Sequence, residues 1–254
     1  MKTALTIAGS DPTGGAGLQA DLKVFMSLGV YGLSIPSVLT AQNTRGVHDV
    51  HEVPADFFSK QISHLLNDIR PDALKTGMIY SPEIVQLIAQ NIKEHSLNNL
   101  VIDPVTVSST GVPLIKEGTL EAIKEILFPL AKVVTPNLYE VSLLTGMEVI
   151  EEDEMKEAAV KLMRLGPENV IITGGHLQGR AMDLLFDGDD FFLLEGGRVE
   201  GDFHGTGCVF SSVITASLAL GYDVKASMVK AKAFTLKAIE SAETFGSGLR
   251  ILGI

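Results

Sequence analysis

Short runs of β-branched and aliphatic residues alternate along this chain with longer stretches of helical period, the pattern of stacked strand–helix units around a largely parallel sheet. Strands are predicted at Thr3–Ala8, Leu33–Leu39, Ala73–Thr76, Leu100–Ile102, Val133–Thr135 and Val170–Thr173. Several are nearly continuous apolar runs, as expected when both faces of a strand are covered. Helices are predicted between them. Ala16–Leu28 puts Leu18, Leu22, Phe25 and Met26 on one stripe and stops at Gly29, while Pro82–His95 opens with Ser81 as N-cap and Pro82 at the first helical position. Asn137–Leu144 ends at Gly146, and Glu151–Leu165 runs from acidic to basic, the sense the helix dipole favours, before stopping at Gly166-Pro167. Two long helices, Gly207–Leu220 and Val224–Glu243, are predicted to close the chain.

Two segments depart from the parallel pattern. Ala181–Phe186 and Phe191–Glu195 flank Asp187-Gly188-Asp189-Asp190, which predicts an antiparallel hairpin at the sheet edge. Val47–Val53 alternates over a short span and predicts a strand able to form a flap beside the site. With no internal repeat, low-complexity tract or polar linker, one continuous α/β domain over residues 1–254 is expected.

Composition narrows the function classes. With 46% hydrophobic and 20% charged residues the chain lies far from the disordered class. Twenty Lys and Arg against 31 Asp and Glu give a formal charge of −11, which repels a phosphate backbone or an anionic leaflet, so neither nucleic acid nor membrane is an expected partner. The longest apolar run, Val209–Leu220, is interrupted by Ser211, Ser212, Thr215 and Ser217, and Ala4–Ala8 is too short for the core of a signal peptide. A single Cys permits no internal disulfide and no Cys-rich zinc site, which fits a reducing cytoplasm.

The most informative segment is His204-Gly205-Thr206-Gly207-Cys208, followed by an apolar helix. Glycines permit close backbone approach, and the first amides of a helix have no internal acceptor, so this turn is a candidate anion hole; a plain glycine-rich turn entering a core helix is the alternative. A second loop, Gly9–Gly17, follows the first strand. It does not continue as a dinucleotide fingerprint, the acidic ribose ligand is missing, and there is no Walker lysine. What remains is a turn that aims Gly9 and Asp21 at a shared cavity, with a dipole-favouring surface position as the alternative for Asp21.

Taken in order, the segments Ala4–Lys23, Leu39–Val47, Lys75–Met78, Val101–Val105, Val133–Glu140, Gly174-Gly175-His176 and His204–Cys208 resemble the hydroxymethylpyrimidine/phosphomethylpyrimidine kinases of thiamin synthesis, within the ribokinase-like superfamily. The resemblance covers almost the whole chain. It implies a single ribokinase-like domain with a central, mostly parallel sheet flanked by helices on both faces, a homodimer, and use of ATP and Mg²⁺. It further implies that Gly9, Asp21, Gln42, Met78 and Val105 hold an aminopyrimidine, that Asp103 and Glu140 lie near Mg²⁺, and that Asn137, Thr173, Thr206 and Lys232 fall on the nucleotide side. These residue types suit such roles: a carboxylate and an amide read ring nitrogens, a thioether offers an apolar face, and hard carboxylate oxygens suit Mg²⁺.

The wider superfamily places an Asp base after its glycine loop, where this branch has Cys, matched by Cys208. A thiol at a helix N-terminus is expected to have a lowered pKa and to take the substrate hydroxyl proton. Otherwise Cys208 shapes the pocket while its backbone N–H and that of Gly207, beside Gly205, hold the transferring phosphoryl group. The chain departs from the family pattern in two cations. Thr173 stands where a lysine is usual before Gly174, and Ser108-Ser109-Thr110-Gly111 stands where the family has A-K-S-G. Three readings follow: a kinase of the hydroxymethylpyrimidine and its monophosphate; a pyridoxal or pyridoxine kinase, whose acceptor also presents a hydroxymethyl on a flat aza-aromatic ring; and a non-catalytic sensor that keeps the pocket without turnover.

Overall fold

In the computed structural model, which describes residues 1–107, 111–175 and 181–254, nine strands form one sheet. Ser108, Ser109, Thr110 and His176, singled out above, lie outside the described residues. The chain runs β1 (Thr3–Ser10), α1 (Gly17–Ser27), β2 (Tyr31–Asn43), β3 (Gly46–Glu52), α2 (Ala55–Asp68), β4 (Ala73–Thr76), α3 (Pro82–Glu94) and β5 (Leu100–Ile102). It continues through α4 (Thr119–Ala122), which passes into a wide turn at Ile123–Leu127 and a tight one at Phe128–Leu130, to β6 (Val133–Val134), α5 (Leu138–Thr145), α6 (Glu152–Met163) and β7 (Val170–Gly174). The last elements are β8 (Ala181–Phe186), β9 (Phe191–Gly196), β10 (Phe203–His204), α7 (Thr206–Ala219), α8 (Val224–Glu240) and β11 (Arg250–Ile251).

The sheet order is β3-β2-β1-β4-β5-β6-β7-β8-β9. The six strands from β2 to β7 run parallel, and the antiparallel members sit at the two edges: β3 against β2, and the β8–β9 hairpin against β7. Alternation along the strands divides the core in two. Leu5, Ile7, Leu33, Ile35 and Leu74 face α2, α3, α5 and α6, whereas Ala4, Ala73, Val101, Val133 and Ile171 face α7 and the surrounding helices α1 and α8. Each fully buried Leu, Ile or Val contributes roughly 1.5–3 kcal/mol of transfer free energy, so both layers are needed to hold the sheet.

The predicted strands and the edge hairpin are all present. Asp187 Oδ1 closes that hairpin by accepting the N–H groups of Asp189 and Asp190 at 3.1 and 2.8 Å. Three differences bear on the site. β2 continues past Leu39 to Asn43, so Gln42 stands on a strand of the flap hairpin rather than in a loop. α7 is buried along its whole length from Val209 to Ala219, its serines included. After α8 the chain does not end on a helix but adds β11, which pairs with β10. No helix among the described residues is long and apolar enough to cross a membrane.

Candidate active site

Because β1, β4, β5, β6 and β7 are parallel, the segments that leave their C-terminal ends gather along one rim of the sheet, the usual ligand edge of such folds. These are the loop Gly9–Gly17, Gly77-Met78, Asp103–Val105, Asn137 and Gly174, and Gly205–Cys208 meets them from α7.

Beneath the rim lies a buried charge cluster. Asp21 on α1 and Lys75 on β4 are both fully buried and paired, with Lys75 Nζ 2.6 Å from Asp21 Oδ1. Ser212 Oγ also donates to Oδ1 at 2.6 Å, and Thr6 Oγ1 donates to Oδ2 at 2.6 Å. Lys75 reaches Asp103 Oδ2 at 3.9 Å, and Ser211 Oγ donates to the same oxygen at 2.9 Å. Burial alone would lower the Lys75 pKa, but the negative charges of Asp21 and Asp103 and the hydrogen bond to Asp21 outweigh it, and the net shift is upward. Asp21 is therefore no surface residue: its buried carboxylate accepts from three protein donors. Its geometry makes it the anchor of Lys75.

Above this cluster the two glycine loops touch. Gly205 has φ +89°, and a Cβ there would lie 1.9 Å from the Gly15 carbonyl oxygen; Gly17 has φ +57°, and a Cβ would lie 2.3 Å from the Gly9 oxygen. Only glycine permits both the left-handed backbone and the approach. A Cβ on Gly207 would lie 3.9 Å from both Asp103 oxygens, so the first turn of α7 looks across a narrow gap at that carboxylate. The amides of Thr206, Gly207 and Cys208 belong to this first turn, where helix geometry offers no internal acceptor.

Cys208 overturns one expectation. Burial pushes its thiol pKa up to about 12, and Asp103 and Asp21 add to the rise, against the lowering by Lys75 and by the Gly17 N–H that it accepts. The helix N-terminus, which led us to expect a lowered thiol pKa, is outweighed by desolvation.

On the acceptor side, Met78 joins Val38 and Leu114 in a small apolar cluster with Val47 and Val105 against it. A Cβ at Gly9 would lie 3.1 Å from both Met78 Sδ and Val38 Cγ1, so the missing side chain keeps the floor of this cluster open. Gln42, half-buried, places its amide 3.0 Å from His204 Nε2, which in turn lies 2.8 Å from Asp11 Oδ2. One ring nitrogen cannot accept from an amide and donate to a carboxylate at once. The consistent assignment turns the Gln42 amide over: His204 Nε2–H is shared by Asp11 and Gln42 Oε1, and the Gln42 NH₂ donates to Thr40 Oγ1, 3.2 Å from the amide terminus, whose own hydrogen goes to Ser10 O at 2.8 Å. Asp11 also accepts from the N–H groups of Thr13 and Ala16, and although burial raises its pKa, the bonds from His204 and Thr13 bring it below the ordinary range. Sequence reasoning passed over Asp11 as a partner of His204, because the two are separated by most of the chain.

On the opposite side, Glu140 and Asn137 form a capping box at the start of α5: Asn137 N–H donates to Glu140 Oε2 at 2.9 Å and Glu140 N–H donates to Asn137 Oδ1 at 3.0 Å. Glu140 is 4% exposed, and burial together with the nearby Asp103 raises its pKa well above the usual value. Asp103 is also raised, first by burial and then by Asp21, against Lys75 and Ser211. Thr173 at the end of β7 lies beside Asn137, with its N–H on Pro136 O at 3.0 Å. Thr206 stands in the first turn of α7. Lys232 is no solvated helix lysine: its Nζ is 2.8 Å from Asp183, whose Oδ1 accepts from Gly174 N–H at 3.1 Å, so the pair braces the end of β7.

The carboxylates at the rim suit Mg²⁺. Among the described residues no three His, Cys, Asp or Glu side chains converge on one point. Two buried carboxylates lie near each other, Asp103 helping burial to raise the Glu140 pKa; Lys75 and Ser211 occupy Oδ2 of Asp103 and Asn137 N–H occupies Oε2 of Glu140, leaving Oδ1 and Oε1. Two hard oxygens fit an ion that keeps several waters and bridges phosphates.

A family model described as "Phosphomethylpyrimidine kinase" matches residues 11–252. The hydroxymethylpyrimidine/phosphomethylpyrimidine kinase of Bacillus subtilis is 40% identical over 248 residues, spanning 96% of this chain and 92% of that protein. The thiamine biosynthesis bifunctional protein ThiED of Geobacter sulfurreducens is 45% identical over 246 residues, 96% of this chain, and the chain spans 50% of its length. Among solved structures, an ADP complex of Bacillus subtilis pyridoxal kinase superposes with a TM-score of 0.91 at 40% identity, covering 99% of this chain and 96% of that one. A match across nearly every residue, with identity at this level in full-length relatives, carries one conclusion: the chain belongs to the phosphomethylpyrimidine kinase family.

Proposed function

We propose that this phosphotransferase moves the γ-phosphoryl group of ATP to the hydroxymethyl oxygen of 4-amino-5-hydroxymethyl-2-methylpyrimidine and then phosphorylates the monophosphate to the pyrophosphate. The observation that carries the reading is the gap between the first turn of α7 and Asp103, 3.9 Å from the Cβ position of Gly207, beside an apolar floor of Met78 and Val105 and the amide of Gln42. A flat ring lies on the thioether and Val105 while Gln42 hydrogen-bonds its edge. The hydroxymethyl oxygen attacks the γ-phosphorus, the bond to the β,γ-bridging oxygen breaks, ADP leaves, and the hydroxyl proton passes to Cys208 Sγ as its thiolate. Gly205 lets the amides of Thr206, Gly207 and Cys208 converge on the transferring group. Asn137, Thr173 and Thr206 border the ADP side, where Lys232 acts indirectly by bracing β7. Mg²⁺, held by Asp103 and Glu140, supplies charge neutralisation on the phosphates when bound. The functional form is a homodimer in the cytoplasm.

Phosphorus NMR of the protein with Mg-ATP tests this, with the hydroxymethylpyrimidine, its monophosphate and pyridoxal in separate samples. A new ester from the pyrimidine and a pyrophosphate from its monophosphate are the expected products. Ester from pyridoxal alone selects the second reading, a pyridoxal kinase, which the close superposition on the Bacillus subtilis pyridoxal kinase favours. Bound ligands with no new signal select the sensor.

Gly205→Ala provides a check on the anion hole. The new methyl group meets the Gly15 oxygen at 1.9 Å in a left-handed backbone, so the loop must move. Turnover falls by about 100-fold or more, the scale of losing a preorganised oxyanion donor. A steady-state rate within about threefold of wild type removes the loop from the mechanism.

A further inference from the structure

We infer that the C-terminal segment Gly246–Ile251 is a positioning element for the acceptor ring, fixing the flap through Thr44 and the far side of Gln42 through His204. The inference rests on the acceptor role given to Gln42 above.

Thr44 sits in the β2–β3 turn, two residues beyond Gln42. Leu249 N–H donates to its carbonyl at 2.8 Å and Gly248 N–H donates to its hydroxyl at 3.2 Å. The segment lies so close that side chains are excluded: a Cβ at Gly246 would stand 2.3 Å from Thr44 Oγ1, and one at Gly248 1.9 Å from the Thr44 oxygen. Directly after this contact the chain becomes β11, where Ile251 pairs with His204, the residue that touches Gln42 from the other side. Glu243 and Ile251 exchange two backbone hydrogen bonds of 2.9 Å each, which closes the segment into a loop anchored at the end of α8. One short piece of chain thus holds both the turn that follows Gln42 and the imidazole against it.

Register makes Gln42 sensitive to that hold. The β2–β3 pairing shifts between Ala41 and Gln42, and such an irregularity re-aims a side chain according to local twist. Fixing the turn at Thr44 fixes the twist, and with it the point at which the amide meets a ring. Small displacements at a reading group change affinity for one acceptor over another while leaving the nucleotide side untouched.

Gly248→Ala tests this, with Thr44→Val, which removes the hydroxyl acceptor and keeps the backbone contact, as the milder variant. Gly248→Ala raises KM for the ring about tenfold and leaves KM for ATP within about twofold, and in a Gln42→Ala background it adds less than about twofold. Hydrogen exchange gives a readout independent of activity: amides of residues 42–47 exchange about tenfold faster while those of β4 and β5 are unchanged. Equal rises in both KM values, full additivity with Gln42→Ala, or unchanged flap exchange overturn the inference. If the wild type phosphorylates neither ring, the acceptor reading falls and ring positioning falls with it. If it phosphorylates a ring and Gly248→Ala leaves flap exchange and ring KM as they were, the positioning role alone falls.

Discussion

Cys208→Ala lowers kcat by about 100- to 10,000-fold, the range for removing a general base, and leaves KM for ATP within about twofold. The accompanying pH dependence is the sharper test. The thiol is pushed up to about 12 by burial, so at neutral pH it is almost wholly protonated. A base acts in its deprotonated form, and each pH unit below the pKa costs a factor of ten in thiolate, so kcat/KM rises about tenfold per unit from neutral into the alkaline range. Cys208→Ala abolishes that slope. A flat profile in the wild type, or a variant near the wild-type rate, assigns the proton elsewhere and leaves Cys208 with its backbone N–H as its contribution.

Lys75→Met is expected to destabilise the fold by about 3–5 kcal/mol, the cost of leaving buried charge without its partner. The substitution strands Asp21, which is fully buried, and takes from Asp103 the ammonium 3.9 Å away. At roughly 2–4 °C per kcal/mol for a chain of this size, the midpoint of thermal unfolding drops by about 6–20 °C. Adding Asp21→Asn to Lys75→Met removes the stranded charge; one of the Thr6 and Ser212 hydroxyls keeps the amide oxygen to donate to while the other turns to accept from the new NH₂, and the double variant recovers more than half of the loss. Calorimetry of the four proteins measures the coupling. Additive losses in the double variant contradict the pairing as the source of the stability.

The strand pattern was legible because buried parallel strands are apolar on both faces, and Ala73–Thr76 and Leu100–Ile102 match the structure residue for residue. α2 carries Phe58, Ile62 and Leu66 at helical spacing and could have been found by the same rule. β10 and β11, two residues each, have no period to detect. At the site, glycine spacing located Gly205 and Gly207, but Ser211 and Ser212 looked like mere interruptions of an apolar run. Buried hydroxyls must find partners, and theirs are Asp103 and Asp21, which no local pattern reveals. The thiol pKa was misjudged for a related reason: proximity to a helix end is visible in sequence, whereas desolvation depends on what the rest of the chain packs overhead.

The all-buried character of α7 also governs how the protein is made. β4 has one face covered by elements near it in the chain, but its other face waits for Thr206–Ala219, made long after it. At ribosomal rates of 5–20 residues per second, roughly 6–26 s separate the emergence of Thr76 from that of Thr206. During that interval the nascent sheet presents Ala73, Val101, Val133 and Ile171 to solvent or to a chaperone. A stall before Thr206 emerges therefore leaves a ribosome-bound, half-covered sheet with its catalytic rim unassembled, the form most exposed to aggregation and proteolysis.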